Sequence, residues 1–392
     1  MDRLPLELIS IIIAYIGDRD SWTKLARVSS TFLEPAQQQI FRSFSLTPRA
    51  DARLLLETSP HLALYIREFS FDFPHMDTSK SAEEVHALCA VLNLLNNVRD
   101  LLVSGNCGED QYEWPTMPAE LRDIFLDFVR RQKLQRLHVM ELGELPQSLL
   151  GLFLNAAPTV SLLNVSFDST KVEDFPIIST VKNLSLVGSE GDLSELLSSH
   201  VYSRQMSGIK TLAFQGPFTP TGEALVAKLA PNLERLILEC RTWEREMTSL
   251  GFPLAPPPSL PLLRYLRLEI HHLGESDLWL PAVVASFLAV CPALTEVVIR
   301  SELEPDDDES EIDVPKEKTM HELEKVFLAL PSEVCLRWVI LRFLYRPRGV
   351  EENRFAEFVD TLHAGMPDLY SLKRLVVEDV LDDKGFGDFI YD

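Results

Sequence analysis

One arrangement of apolar and variable positions recurs along the chain: apolar, two variable, apolar, one variable, apolar. Copies begin at Ile66, Val98, Leu134, Val160, Val181, Ile209, Leu233, Leu263, Leu294, Leu336 and Leu372. Leu233-Glu234-Arg235-Leu236-Ile237-Leu238 is typical. In each copy the apolar positions are expected to face a core and the phrase to form a short strand. Helical patterns fill most intervals, at 82–97, 118–132, 192–206, 222–229, 281–290, 320–330 and 353–363. Prolines at Pro158, Pro231, Pro292 and Pro367 stop the chain from continuing as helix just before the next strand. Such self-similarity marks a solenoid, whose units are too small to bury an apolar face alone and must stack on neighbours. A stacked array offers a long surface for gripping another macromolecule.

The first 46 residues follow a different period. Pro5 suits a first helical turn, and Leu8, Ile12 and Ile16 fall four apart, with Ile9 and Ile13 widening the stripe. Gly17 is the expected stop, and Asp20 the expected N-cap of a second helix reaching Val28. Ser29 or Ser30 starts a third, with Phe32, Ile40 and Phe41 as its apolar contacts. Three short helices make a thin core: burying one large apolar side chain stabilises by about 1.5–3 kcal/mol, whereas ordering one residue costs about 1–2 kcal/mol. A unit this small and apolar completes itself against the array or against another protein.

Composition narrows the function. A net charge of -22 disfavours nucleic acid and anionic membrane as partners. Five scattered cysteines (Cys89, Cys107, Cys240, Cys291, Cys335) without a C-x-x-C pair fit a reducing compartment rather than disulfides or structural zinc. The apolar stretch Leu4 to Ile16 carries Glu7, lacks a small-residue cleavage site and is too short to span a bilayer, so a cytoplasmic or nuclear location is expected. No phosphate-cradling glycine loop, nucleophile elbow or H-E-x-x-H helix occurs, so the chain reads as non-catalytic and without cofactor or metal. His271 and His272 are adjacent on a strand and point to opposite faces, which makes them poor joint ligands. Thr242 to Pro261, with five prolines, reads as an extended loop; Glu302 to Asp313 holds eight carboxylates and reads as a solvated charge run or a lure for a basic partner.

The variable slots of the eleven phrases (second, third and fifth) carry a second signal. They hold Arg67, Arg99, Arg136, Lys182, Lys210, Arg235, Arg264, Arg267, Arg337, Lys373 and Arg374 against only Glu68, Asp100, Glu234 and Glu296. Tyr265 and Trp338 share these slots. Such residues dominate interface hot spots. The slots therefore predict a substrate-binding strip, strongest at Arg235, Arg264, Tyr265, Arg267, Arg337, Trp338, Lys373 and Arg374, suited to an acidic or phosphorylated protein segment. The plainer reading is a solvated strand face whose arginines pair with neighbouring carboxylates.

Two resemblances follow. The run Leu4-Pro5-Leu6-Glu7-Leu8, with Ile12, Tyr15, Ile16, Trp22, Leu25, Val28, Ser29, Phe32 and Phe41, resembles an F-box, with Phe32 where many members carry Trp. That resemblance implies docking on a Skp-type adaptor, and through it a cullin-RING ubiquitin ligase, with Leu4, Pro5, Leu8, Ile12, Trp22, Leu25, Val28 and Phe32 shaping the adaptor surface or the core behind it. The strand-turn-helix-stop grammar, from about Ser59 to Val380, is similar to leucine-rich repeats. Its pitch of 21 to 42 residues is wider than usual, and the asparagine expected after the phrase stands only at Asn106. The expected fold is α/β: a three-helix F-box at 1–47, then an irregular leucine-rich-repeat solenoid of about eleven units at 48–392, strands on the concave side and helices on the convex side. The expected function is substrate recognition in an SCF-type ligase, leading to ubiquitin-dependent degradation. The alternative is an interaction scaffold, unrelated to ubiquitin, whose leading helices only cap the solenoid. A weaker third reading is a small-GTPase regulator, for which no committed arginine stands out.

Overall fold

The alternation of buried and open positions builds a parallel α/β architecture. A computed structural model describes residues 4–46, 58–73, 82–105, 112–168, 180–188, 206–215, 220–239, 258–270, 279–302, 315–330, 334–343 and 348–382. The chain divides into two compact units, Met1–Val181 and Lys182–Asp392.

The first unit opens with three helices: α1 (Leu6–Ile16), α2 (Arg19–Val28) and α3 (Ser30–Ile40). Gly17 closes α1 in the left-handed region at φ 72°, a conformation that costs a glycine little. The cap of α2 is Asp18, not Asp20: its carboxylate accepts from Ser21 N at 2.7 Å. Ser29 caps α3 as expected, accepting from Thr31 N at 3.2 Å. The Trp22 indole N–H donates to the Ile13 carbonyl at 2.8 Å, tying α2 to the end of α1.

Strands β1 (Ser43–Leu46), β2 (Glu68–Asp72), β3 (Asp100–Ser104), β4 (Arg136–Met140) and β5 (Thr159–Leu163) then lie in chain order, each parallel to the next. Parallel neighbours need crossovers, and helices α4 (Ala82–Leu94), α5 (Ala119–Arg131) and α6 (Gln147–Ala156) stand in them. Leu121, Phe125, Phe128 and Val129 of α5 point inward at helical spacing. Phe128 meets Phe69 edge-on at 5.8 Å, and Phe71, Phe73, Phe125 and Trp114 complete an aromatic core.

The second unit holds β6 (Asn183–Val187), β7 (Thr211–Gln215), β8 (Arg235–Glu239), β9 (Tyr265–Ile270), β10 (Glu296–Glu302), β11 (Cys335–Phe343) and β12 (Leu375–Asp382), again parallel and in order. With them run α7 (Pro220–Leu229), α8 (Trp279–Val290), α9 (Glu317–Leu328), α10 (Arg348–Gly365) and α11 (Pro367–Ser371). Buried Glu324 of α9 accepts from the Asp368 and Leu369 amides, satisfying the open N–H groups of α11.

Register bears out most phrases and corrects three. The inward triplet at β5 is Ala157, Val160 and Leu162, three residues earlier than expected, because β4 pairs Leu137 with Val160 and Val139 with Leu162. At β11, Leu336, Trp338 and Ile340 point inward at strict two-residue spacing, because Val297 and Ile299 pair with Leu336 and Trp338. At β12 the first position fails: Leu372 is exposed, and Lys373 turns the chain at φ 56°. A further copy precedes the eleven. Phe41-Arg42-Ser43-Phe44-Ser45-Leu46 carries β1, with Phe44 and Leu46 opposite Phe69 and Phe71. The helix expected at 192–206, except Met206, lies outside the described residues, as do Asn106, Cys107, Cys240, His271, His272, residues 242–257 of the proline-rich stretch and 303–313 of the acidic run.

Candidate functional site

Two features of the first unit stand apart from ordinary surface. The first is α1. Its sequence is apolar nearly all round, and only Ile9 and Ile13 are buried. Leu8 is 46% exposed and Ile12, one turn on, 51%; Leu4, Leu6, Ile11 and Tyr15 are exposed as well. A helix that is apolar all round normally has cover on every side. Of the eight residues expected at an adaptor surface, Leu4, Pro5, Leu8, Ile12 and Val28 are exposed, while Trp22, Leu25 and Phe32 are half-buried. Trp22, bonded to Ile13, braces α1 from behind.

The second feature is a polar cavity of about 650 Å³ at the leading ends of β1 to β4, whose cationic lining is Arg42, Arg67, Arg99 and Arg136. The backbone fixes these side chains one strand apart. The Arg42 carbonyl accepts from the Arg67 and Glu68 amides, that of Arg67 from Arg99 and Asp100, and that of Arg99 from Gln135 and Arg136. Arg136 is gripped at two points by Asp100, Nε to Oδ1 at 2.9 Å and Nη2 to Oδ2 at 3.1 Å. Arg42 pairs with Glu68 at 2.9 Å. Arg67 donates to the neutral Asn97 carbonyl at 3.1 Å. Arg99, which is exposed, has no side-chain hydrogen bond or ion pair among the described residues. Burial first, and the Arg99 charge second, lower the Arg67 guanidinium pKa from its usual value. Arg67, Arg99 and Arg136 stand in slots that the phrase singles out. Arg42 stands outside the eleven phrases, and the copy that begins at Phe41 is the signal that finds it.

The expected strip in the second unit is only partly a surface. Arg264 and Lys373 are exposed. Arg235 and Tyr265 are half-buried and engage each other, the guanidinium lying 4.2 Å from the ring centre. Arg337 is bracketed by Glu296 at 3.1 Å and Glu378 at 3.7 Å. Lys210 pairs with Glu234 at 2.7 Å. Three residues are not on an open face. Trp338 is 0% exposed; its indole donates to Ser301 Oγ at 3.0 Å and its ring meets Phe358. Arg374 is buried and donates to the Val334 carbonyl at 3.0 Å. Arg267 is 4% exposed and shares the Glu269 carboxylate with Arg300. The fifth-slot residues Ser185, Ala213, Ile237 and Val298 are buried too. Parallel strands covered on both faces behave this way, so the fifth slot lines no open surface there.

Burial pushes the Cys89 thiol up to about 11 and the Cys291 thiol up to about 12, so neither supplies thiolate at neutral pH. Among the described residues, no three His, Cys, Asp or Glu side chains are grouped to hold a metal, and no helix is long and apolar enough to cross a membrane. In comparisons with known proteins, no family model and no curated protein matches the chain.

Proposed function

We propose that the chain is a non-catalytic substrate receptor of an SCF-type ubiquitin ligase, acting in the cytoplasm or nucleus. In this reading α1 to α3 form an F-box that docks on a Skp-type adaptor, and the parallel array is an irregular leucine-rich-repeat solenoid that holds a protein substrate. The observation that carries the reading is the uncovered apolar row of α1, with Leu8 and Ile12 open to water in a segment whose residue pattern resembles an F-box. Contiguous exposed apolar surface of this kind marks a protein interface. The mechanism is proximity: holding a substrate beside a charged conjugating enzyme replaces a bimolecular encounter with a local one at high effective concentration.

The test is capture by an immobilised Skp-type adaptor. The full chain is expected to bind, and Leu8→Asp or Ile12→Asp to weaken binding about thirtyfold or more, the weight of a hot-spot residue. Thermal unfolding is expected to stay within a degree or two, since both side chains already face water. Undiminished capture by both variants, or none by the parent chain, removes the ligase reading. In the second case, loss of folding on deleting 1–40 would favour the capping role instead.

A further inference from the structure

The cavity at the head of β1 to β4 has an imbalance of charge that its described carboxylates do not correct. Of its four guanidiniums, Arg42 and Arg136 each face a carboxylate. Arg67 and Arg99 do not: one leans on a neutral carbonyl and the other has no side-chain partner among the described residues. Their carbonyl-to-amide link sets them on adjacent strands, about 4.8 Å apart at the backbone. Two cations on neighbouring strand heads repel each other, and the lowered Arg67 pKa registers the partial loss of water first and that repulsion second. An anion between them offsets the repulsion.

We propose that this cavity is a binding site for a phosphate monoester, whose oxygens the Arg67 and Arg99 guanidiniums share. Phosphate fits better than carboxylate for a geometric reason. A carboxylate offers two oxygens, and one guanidinium fork occupies both, as Asp100 shows with Arg136. A phosphate monoester offers three terminal oxygens and close to two charges, enough for two forks. Tyr65, Asn97 and Gln135, also in the lining, add neutral hydrogen-bonding groups. The volume of about 650 Å³ exceeds a bare phosphate and leaves room for the group that carries it. That carrier is a phosphorylated side chain of a protein or a small soluble ester. The site does not depend on α1 docking an adaptor.

The experiment is calorimetric titration of the full chain at fixed ionic strength, with O-phosphoserine in one arm and a mixed-sequence phosphoserine peptide in the other. Serine and the unphosphorylated peptide serve as blanks. The parent chain is expected to bind both phosphorylated probes. Arg99→Gln, at an exposed position, is expected to weaken binding at least tenfold with unchanged thermal unfolding, and Arg67→Gln/Arg99→Gln to abolish it. Arg130→Gln, on the exposed side of α5, is expected to change nothing. Stronger binding of the peptide assigns the phosphate to a protein, and equal binding assigns it to a small ester; each supports the site. No binding by the parent chain, equal binding by Arg99→Gln, or equal heat from the unphosphorylated probes overturns it. Adaptor capture by Arg99→Gln is expected to match the parent, which keeps this result apart from the ligase reading.

Discussion

Asp72 ends β2 half-buried, its carboxylate without a hydrogen bond or ion pair among the described residues. Desolvation raises its carboxyl pKa above the usual value. In the window between the unfolded pKa, about 3.9, and the raised folded value, the folded state binds more protons than the unfolded one. Stability therefore falls as pH rises through that window, and the penalty is complete above it. Asp72→Asn is expected to raise the melting temperature at pH 7 and to lose that advantage as the pH is brought below the window, which melting curves across pH will check. Single residues were the least legible level in the sequence. Trp338 and Arg374 carry the side chains of an interface, but one lies in the core and the other props a carbonyl. A pattern of types along a strand cannot distinguish a face open to water from one closed by distant chain. The slots mark Arg67 and Arg99, yet that no described carboxylate pairs with either is a fact of three dimensions.

At the scale of elements, the joins between helix and strand rest on polar side chains that replace missing backbone partners. Gln132, just past α5, is buried and acts as a clasp: its Nε2 donates to the Leu95 carbonyl at 2.8 Å and its Oε1 accepts from the Val98 amide at 3.1 Å. Both partners belong to the turn that launches β3. Gln132→Leu keeps the volume but strands two buried groups, and is expected to cost about 1–3 kcal/mol, measured by denaturant unfolding. The elements themselves were largely readable. α4 and α5 end within three residues of the expected limits, because apolar spacing at helical period is a local signal. The corrections at β5 and β11 have separate causes. Ala157 is too small to announce itself as an inward position, and β11 replaces the three-residue step with strict alternation, so the phrase was matched to the wrong neighbours. At β1, Phe41 serves in sequence as an apolar contact of the third helical segment, which hides its place as the first position of a phrase.

For the whole molecule, the division into two compact units means that each keeps its own core. In a repeat architecture a defect is felt mainly by nearest neighbours. Phe125→Ala, which removes a ring packed against Phe71, Phe73 and Trp114, is expected to cost about 3–5 kcal/mol. Hydrogen exchange should accelerate at β2 to β4 while the amides of β8 to β10 stay protected; uniform acceleration would show that the two cores melt as one. The junction of α3 with β1 carries a consequence of its own. Only Phe41 and Arg42 separate Ile40 from Ser43, and the Arg42 carbonyl is already pinned by the Arg67 and Glu68 amides. The joint is two residues long, and the amides of both donate back to α3, Phe41 to the Gln37 carbonyl and Arg42 to that of Gln39. Whatever seats itself on the leading helices is bolted to the first strands as if to a bracket, so its angle of approach is written into the backbone and not left to a tether.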